Sequence, residues 1–521
     1  MIFSSTIFQR IALFIGAFFL LNNSWAQQNL LELLPGSEKV VVDRERGLVR
    51  LIGNVNFRYQ GNTMYCDSAH YKESEKIVRA YGHVHIVKDD VNLYCDSLYY
   101  NGNDKFAKLW GKVNVRDREY KITTDSLDYD ARLGKAIYKN KGKIESIVSN
   151  ERITSKNGYF FPKTGTCFFS GNVNYRKDDM TMTTDTLQFI YEKQMIYFYG
   201  PTRIDNDSVT IVCKKGWYNL KKKEANLFRG AEIIQKGSLV KGDTLYYNDE
   251  TKNYEARGKV LYRDYEQKLS FTGDKVRSFK AEPYTFLTGN ALLSKVEKND
   301  TLFIHADSLL LFKDTLNKLS QVKAHAFVRL FNRKVQGVCD SADYVIADSL
   351  FRMRSKPILW SENAELKGAE MLVLYKDSTI HRVNIINDAS VVMELDSGTV
   401  YNQIAGKEIV AFFNENSLKK VDVKGNAWTI LYPEEEEKKD SVILVKRQGM
   451  NRLYASDLRI YLDSGEVRGI TYFDKPDGIF FPLTKIPKDE QFIRNFSWNP
   501  LIRPKDPISM MRKKSAVKSV N

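Results

Sequence analysis

Tyr94-Cys95-Asp96-Ser97-Leu98-Tyr99-Tyr100 is the stretch that decides the fold, because the chain repeats it. The same motif recurs around Asp67 and Asp125, so the acidic residue stands at positions 67, 96 and 125, a step of 29. An apolar residue usually follows it at the second position and another at the fourth. That alternation has a period of two, which predicts one β-strand in each copy. Continued along the chain, this acidic motif meets Ser155, Asp185, Lys214, Asp243, Asp274, Asp307, Asp340, Glu370 and Glu408.

A second motif, built around glycine, interlocks with the first. Apolar residues alternate around it, as in Leu109, Gly111 and Val113, and Asn140 takes the place of the glycine in one repeat. Each repeat therefore contains two strands, and glycine inside a strand usually marks a bend or a close approach of two backbones. The glycines of this glycine motif are Gly53, Gly82, Gly111, Gly171, Gly200, Gly230, Gly258 and Gly289.

This regularity predicts an all-β fold made of stacked repeats, each with about 29 residues and two strands. A self-similar period of about 20–50 residues is typical of such stacks rather than of a compact domain. The step between acidic motifs lengthens after Gly289. We therefore expect a second segment of the same architecture, stacked after a seam between residues 280 and 320.

Residues 1–26 have the order of a secretory signal peptide. Arg10 precedes an apolar run, and Ser24-Trp25-Ala26 supplies small residues before Gln27. The pattern predicts an exported chain that begins at Gln27, and an N-terminal membrane anchor is the alternative.

Three further parts follow from the pattern of the remaining chain. Residues 27–300 hold the regular repeats and residues 301–473 the less regular ones. Residues 474–521 contain half of the 12 prolines, which predicts extended, non-repeating chain that docks on the last repeat or on a partner. The acidic stretch at residues 433–440 is predicted to be a solvated protrusion.

The charge of the chain favours anionic partners. A net charge of +15 and an isoelectric point near 9.2 attract anions. For an exported protein these are acidic glycans and lipid head groups. No RNA-binding aromatic motif or helix-turn-helix pattern occurs, so we predict no nucleic acid partner.

Four of the five cysteines stand just before the acidic position, where other copies have threonine, glycine or alanine. That position therefore selects a small side chain, and packing is the favoured interpretation. A disulfide between Cys66 and Cys95 is the alternative, if their repeats are neighbours at disulfide distance. The four cysteines are Cys66, Cys95, Cys213 and Cys339.

No catalytic motif occurs in the sequence, so we predict neither an enzyme nor a cofactor. His83 and His85 share a strand face without a third ligand, which gives no metal site. The repeated acidic residue is interpreted as a structural turn residue, with solvation, bonds to turn amides or bound cations left open.

The two motifs place apolar side chains on two facing walls. Tight packing between the walls makes a core, whereas walls that splay make a groove for acyl chains. The candidate lipid-contact residues are Leu98, Tyr100, Leu127, Tyr129, Leu187, Phe189, Leu245, Tyr247, Val84, Val113, Val173 and Val260.

Three stretches of the sequence resemble a known family. Gly242-Asp243-Thr244-Leu245-Tyr246-Tyr247, Thr272-Gly273-Asp274-Lys275-Val276 and Leu287-Thr288-Gly289-Asn290-Ala291 are similar to the repeats of OstA-like proteins of the LptA type. The resemblance covers residues 40–420 and implies a long, taco-like antiparallel β-jellyroll in the periplasm. It also implies lipopolysaccharide as ligand, with its lipid A acyl chains in the slot, and stacking end to end with other transport components. The family has no catalytic residues to transfer, and this array is longer than a minimal member.

Three functions remain open from the sequence. The leading hypothesis is a periplasmic component, associated with the outer membrane, of the bridge that carries lipopolysaccharide there. A ligand-free exported scaffold or adhesin is the second alternative, because it would have the same sequence period. A β-helix enzyme acting on acidic polysaccharide is a third alternative, although its acidic residues would cluster on one face.

Overall fold

A computed structural model describes residues 32–511 apart from short internal gaps. The gaps are residues 60–61, 89, 162–163, 191, 206, 208, 236, 249, 252, 280, 298–299, 317, 377–378, 397, 416, 440–441 and 464–465. The predicted signal peptide, residues 1–26, lies outside the described residues.

Strands make up most of the described chain, and every pairing described between them is antiparallel, as the all-β prediction requires. The antiparallel pairing contradicts the β-helix alternative, whose strands are parallel. The chain divides between Ala256 and Arg257 into two compact units. This division lies before the predicted seam at 280–320, which remains a prediction.

The first unit contains the strands β1 (Glu32–Leu33), β2 (Lys39–Asp43), β3 (Leu48–Tyr59), β4 (Asn62–Lys72), β5 (Ile77–Lys88), β6 (Val91–Asn101), β7 (Phe106–Arg116), β8 (Tyr120–Asp130), β9 (Lys135–Tyr138), β10 (Gly142–Ser146), β11 (Arg152–Ser155), β12 (Asn157–Phe161), β13 (Thr166–Lys177), β14 (Met180–Ile190), β15 (Met195–Asp205), β16 (Val209–Asn219), β17 (Glu224–Gln235) and β18 (Ser238–Asn248). The next strand, β19 (Tyr254–Asp264), contains the division.

The second unit contains β20 (Leu269–Ser278), β21 (Tyr284–Val296), β22 (Thr301–Lys313), β23 (Leu319–Phe331), β24 (Val335–Val345), β25 (Leu350–Arg354), β26 (Ile358–Ser361), β27 (Ala364–Lys367), β28 (Glu370–Lys376), β29 (Thr379–Asp396), β30 (Val400–Asn414), β31 (Ser417–Leu431), β32 (Glu434–Lys439), β33 (Val442–Arg447), β34 (Gly449–Asp463), β35 (Glu466–Phe473) and β36 (Asp477–Pro482). Three short 3₁₀ turns and one helix follow: Leu483–Lys485, Lys488–Glu490, Pro500–Ile502 and α1 (Pro507–Met510).

The two sequence motifs meet at a β-bulge. Two residues of β5, Gly82 and His83, oppose the single residue Asp96 of β6. Both bulge residues have positive φ, +70° and +45°, a conformation that glycine adopts without steric cost. A bulge bends the strand and increases its twist. We name a bulge and the residue opposite it a corner.

The burial pattern shows on which side each strand bends. In β8, buried residues alternate up to Thr124, and the next buried residue is Leu127, three positions on instead of two. Because of this phase change, the buried side chains of both halves of the strand point to the inner side of the bend. Wall A consists of residues before the acidic position or after the glycine. Wall B consists of residues after the acidic position or before the glycine.

The glycine motif marks corners correctly, including its substitute Asn140, which has φ +70°. Three corners beyond Gly289 lack glycine, because Ala326, Ser355 and Asn387 begin these bulges with φ of +60°, +65° and +56°, whereas Gly425 begins a further one with φ +73°. The second unit thus keeps the architecture of the first after the glycine pattern has faded.

Three predicted positions of the acidic motif are wrong by one residue. Turn length is one cause, because the chain takes residues 147–151 to pass from β10 to β11 but only residues 178–179 to pass from β13 to β14. In the second unit, strands are up to 18 residues long, which also changes the spacing between successive corners. The corner residues are Lys156, Ala369 and Lys407 in place of Ser155, Glu370 and Glu408.

Two predicted surface segments have defined structures. Within the acidic stretch, residues 434–439 form strand β32, which pairs with β33 as a separate hairpin. Past residue 474, strand β36 pairs with β34, and the chain then folds back onto the second unit. There Asn499 donates two hydrogen bonds to the buried carboxylate of Glu365, and Met510 is buried. The segment thus contacts β27 as well as the last repeat, where Ile493 packs with Ile430 and Met450.

Candidate functional site: the interior between the walls

The candidate lipid-contact residues lie on the two walls as the motifs predict. Val113 of the glycine motif pairs with Thr124 on wall A, whereas Leu127 of the acidic motif pairs with Leu109 on wall B. The other members of each set occupy the same position relative to their corners. The walls therefore bring the two predicted sets to face each other.

Most of these side chains are shielded from water. Tyr100 and Tyr247 are half-buried. Leu187 and Phe189 have no exposed surface, so an acyl chain reaches them only if the walls part. The buried members are Leu98, Leu127, Tyr129, Leu187, Phe189, Leu245, Val84, Val113, Val173 and Val260.

The interior of the first unit is tightly packed around β12. The ring of Phe160 lies 5.9 Å from that of Tyr138 and 5.7 Å from that of Phe169, all three on wall B. Each of the three is completely buried. Aromatic pairs at such distances add stabilisation beyond the burial of their area.

The same interior is more open along β16–β18. The inward apolar residues Ile211, Ile233 and Val240 of wall A are only half-buried. The turn at residues 220–223, at the outer end of wall B in these strands, contains three consecutive lysines. Half-exposed apolar side chains on wall A and a basic turn at the end of wall B suit a ligand with apolar chains and an anionic head.

The second unit encloses a small cavity of about 20 Å³ between its walls. Half of its lining comes from wall A, including Leu330 and Leu359, and half from wall B, including Met353 and Val373. These residues lie beyond the stretch of regular repeats. The two walls of the second unit therefore also face each other across an apolar interior.

The position before the acidic residue has a role that sequence reasoning missed. Thr124 Oγ1 donates a hydrogen bond of 2.9 Å to the carbonyl oxygen of Lys141, which belongs to the opposing bulge. Cys339 Sγ similarly donates to the carbonyl of Ser341 at 3.3 Å. Where this position holds threonine or cysteine, the small side chain also donates a hydrogen bond, whereas Gly242 and Ala306 meet only the requirement for small size.

All five cysteines are free thiols in the structure. Burial is the main cause that raises the pKa of Cys66 to about 12, and the carboxylate of Asp67 adds to it. Burial also raises the pKa of Cys95 to about 12. Strand β5 lies between the strands of Cys66 and Cys95, and two strand spacings, about 10 Å, exceed the reach of a disulfide. The disulfide alternative is therefore absent here.

The acidic residues at the corners point to solvent. His83 Nδ1 lies 2.8 Å from Asp67 Oδ2, and Asn290 Nδ2 donates to Asp274 Oδ2 at 3.3 Å. These carboxylates occur on alternate strands, about 10 Å apart, which weakens their mutual repulsion. They serve mid-strand corners rather than the turns that we predicted. In the described part of the chain, no three His, Cys, Asp or Glu side chains converge as metal ligands do.

Within the described residues, no helix has the length and apolar character to cross a membrane.

Antiparallel strands, with corners in the long ones, folded around an apolar interior define a repetitive β-jellyroll. The chain matches the family of OstA-like proteins over residues 37–185. It matches the family described as LptA/(LptD N-terminal domain) LPS transport protein over residues 152–302. Residues 37–302 therefore belong to this OstA-like, LptA-type family, whose members are transport proteins rather than known enzymes.

Among solved structures, the chain is similar to LptH, the LptA homologous periplasmic component of the lipopolysaccharide transport device from Pseudomonas aeruginosa. The identity is 16% and the TM-score 0.20, over 21% of this chain and 84% of that chain. No curated protein matches the sequence.

Proposed function

We propose that this chain binds lipopolysaccharide in the periplasm, with the lipid A acyl chains between wall A and wall B. It then forms part of the bridge that carries lipopolysaccharide to the outer membrane. The observation that carries the proposal is the apolar interior between wall A and wall B of each unit, in a chain that matches lipopolysaccharide-transport families. The predicted signal peptide supports export.

The energetics of acyl burial favour such a site. Each methylene removed from water contributes about 0.8 kcal/mol, so one acyl chain offsets the cost of separating a short length of wall. The half-buried residues Ile211, Ile233 and Val240 mark where the least packing is lost. The lysines at 221–223 and the net charge of +15 suit the phosphates of the ligand.

Stacking with other transport components fits the first strands of the first unit and the last strands of the second. Strand β2 pairs with β3 at the start of the repeats and exposes Val40 and Val42. Strand β35 pairs with β34 in the second unit and exposes Phe473. Terminal strands can pair with a strand from another protein, which adds main-chain hydrogen bonds.

A ligand-free scaffold is the second candidate function. The complete burial of Leu187 and Phe189 favours it, because a packed core stabilises the array without a ligand.

Site-specific photo-crosslinking in cells separates these functions. A crosslinking residue at Leu127 or Leu187, or at the half-buried Tyr100, is expected to label lipopolysaccharide. The matched controls are Ser126 and Thr186, neighbours on the outer face of the same strands, which are expected not to label. Equal labelling on both faces would reject the walls as the binding surface. An absence of labelling during active export would favour the scaffold.

A further inference from the structure

A polar contact joins the two walls of the second unit at the ends of their strands. Tyr375 Oη, from wall B, donates to Glu297 Oε2 at 3.2 Å and accepts from Asn332 Nδ2 at 2.9 Å. Glu297 and Asn332 both belong to wall A. Tyr375 is 4% and Asn332 1% exposed, so the contact lies in a buried, poorly solvated place.

A second bond reinforces the first. Lys295 Nζ, on wall A, donates to Tyr344 Oη, on wall B, at 3.3 Å. The same ammonium lies 3.7 Å from Glu297 Oε1. We name these five residues, Glu297, Lys295, Asn332, Tyr344 and Tyr375, the clasp. Its wall A and wall B members come from separate strands, so parting the walls there breaks several bonds together.

The clasp is held in position from within wall A. The Asn332 side-chain oxygen accepts from the backbone N–H groups of Lys334 at 3.1 Å and Val335 at 2.7 Å. This turn fixes the amide, so its nitrogen points to Tyr375. Burial, with the carboxylate of Glu297 beside it, raises the pKa of Tyr375 well above its usual range, so the hydroxyl keeps the proton that it donates.

The apolar cavity lies directly beside the clasp. Tyr375 and Asn332 themselves line it, together with Leu330 and Val335 of wall A and Val373 of wall B. Apolar contacts between walls have no preferred direction, whereas hydrogen bonds fix one separation and are costly to leave unpaired when buried. The clasp therefore sets the width of the interior at this point.

We propose that the clasp is a gate, in which the Tyr375 hydroxyl holds the walls of the second unit closed over a binding compartment for an apolar chain. When its bonds to Glu297 and Asn332 break, the walls part and the cavity enlarges enough to admit an acyl-like ligand. Apart from Leu302, the residues that line this compartment lie beyond residues 37–302, where the family matches end. The identity of its natural ligand rests on the proposed function, but the gating does not.

The test is binding of the apolar dye N-phenyl-1-naphthylamine to the purified full-length chain, followed by its fluorescence. Tyr375→Phe removes only the hydroxyl and is expected to raise the affinity for the dye at least about fivefold, the range of ordinary coupling between sites. Tyr199→Phe is the matched control, because that hydroxyl bonds to Gln188 on the outer face of the first unit. It is expected to leave dye binding unchanged.

A second substitution locates the bound dye. Val373→Leu in the Tyr375→Phe background fills part of the cavity and is expected to return the affinity to the original value. Glu297→Gln weakens the same bond from the other wall and is expected to act in the same direction as Tyr375→Phe.

Unchanged affinity in both Tyr375→Phe and Glu297→Gln, each with an unaltered circular dichroism spectrum, would overturn the gate. If Tyr375→Phe does not fold, Glu297→Gln is read by the same criterion. Labelling of lipopolysaccharide at Leu127 in the first unit is independent of this result. Failure of the gate therefore leaves the proposed function standing, and failure of that labelling leaves the gate standing.

Discussion

Tyr138 Oη lies 2.6 Å from Ser155 Oγ, and this hydrogen bond joins wall B to wall A inside the first unit. Ser155 Oγ also donates to the carbonyl of Asn157 at 2.8 Å, so its single proton is used and the Tyr138 hydroxyl is the donor between the walls. The first unit, like the second, thus combines apolar packing with a directional bond between its walls.

This hydrogen bond predicts that substitutions of Ser155 and of Tyr138 lower the stability by different amounts. Ser155→Ala leaves the buried hydroxyl of Tyr138 without its acceptor and is expected to lower the free energy of unfolding by about 1–3 kcal/mol. Tyr138→Phe leaves Ser155 bonded to Asn157 and is expected to cost about 1 kcal/mol. Urea unfolding followed by circular dichroism measures both. A larger loss for Tyr138→Phe than for Ser155→Ala would contradict the assignment of the donor.

The corners predict that glycine is needed most where the facing residue is close. A Cβ on Gly111 meets Asp96 Cβ at 2.6 Å, whereas a Cβ on Gly230 meets no atom within 4 Å. Their φ angles are +79° and +76°, so Gly111→Ala and Gly230→Ala share the same backbone strain. Overpacking adds about 1–3 kcal/mol in Gly111→Ala alone. Equal midpoints of urea unfolding for the two variants would refute close approach at the corner.

The buried thiols predict slow alkylation in the folded chain. The pKa of Cys167 is raised to about 12 and that of Cys213 to about 11 by burial. At pH 8 a thiol with a pKa of 12 is ionised in roughly one molecule in ten thousand, and the thiolate is the reactive form. Iodoacetamide labelling read by mass spectrometry is expected to modify all 5 cysteines only after unfolding. Rapid labelling of the folded chain at pH 8 would count against this burial.

The same shifts predict a loss of stability at alkaline pH. A raised pKa in the folded chain means that burial favours the protonated thiol. The contribution of this thiol to the free energy of unfolding is therefore complete below a pH of about 9. It falls as the pH rises from 9 towards about 12, because the unfolded chain releases these protons first. Urea midpoints measured from pH 8 to pH 11 are expected to decrease, and the decrease should be smaller in a variant with Cys66 and Cys95 replaced by alanine.

The C-terminal segment is held to the second unit by the carboxylate of Glu365. Its oxygens accept from Trp360 Nε1 at 2.8 Å and from the backbone and side chain of Asn499, both at 2.9 Å. Hydrogen bonds to a charged group contribute about 1.5–3 kcal/mol each. Glu365→Gln is therefore expected to speed tryptic cleavage within residues 483–511 at least about tenfold. Glu362→Gln, at an exposed carboxylate nearby, is the control, and equal rates for the two variants would exclude this anchor.

Much of the repeat could be predicted because it depends on local rules. Alternation with a period of two places Leu127 and Leu187 on the inner face, regardless of which distant residues they meet there. Glycine marks the bulges at Gly82 and Gly111 because its backbone tolerates positive φ. Counting forward along the repeats predicted a corner at Ser155, but a longer turn moved this corner by one residue to Lys156. Turn length has no counterpart in the periodic pattern, so counting forward could not detect it.

What the sequence by itself determined was the all-β fold, the two walls and the identity of nearly every inward side chain in the regular repeats. Only the tertiary structure decided how far apart the walls lie, and it did so through pairs distant in sequence, such as Tyr375 with Asn332 and Tyr138 with Ser155. It also decided that corners continue at Ala326, where no glycine announces them. The physical reason is that strand periodicity arises from steric rules between neighbouring residues, whereas closure of the interior depends on which side chains meet once both walls have formed.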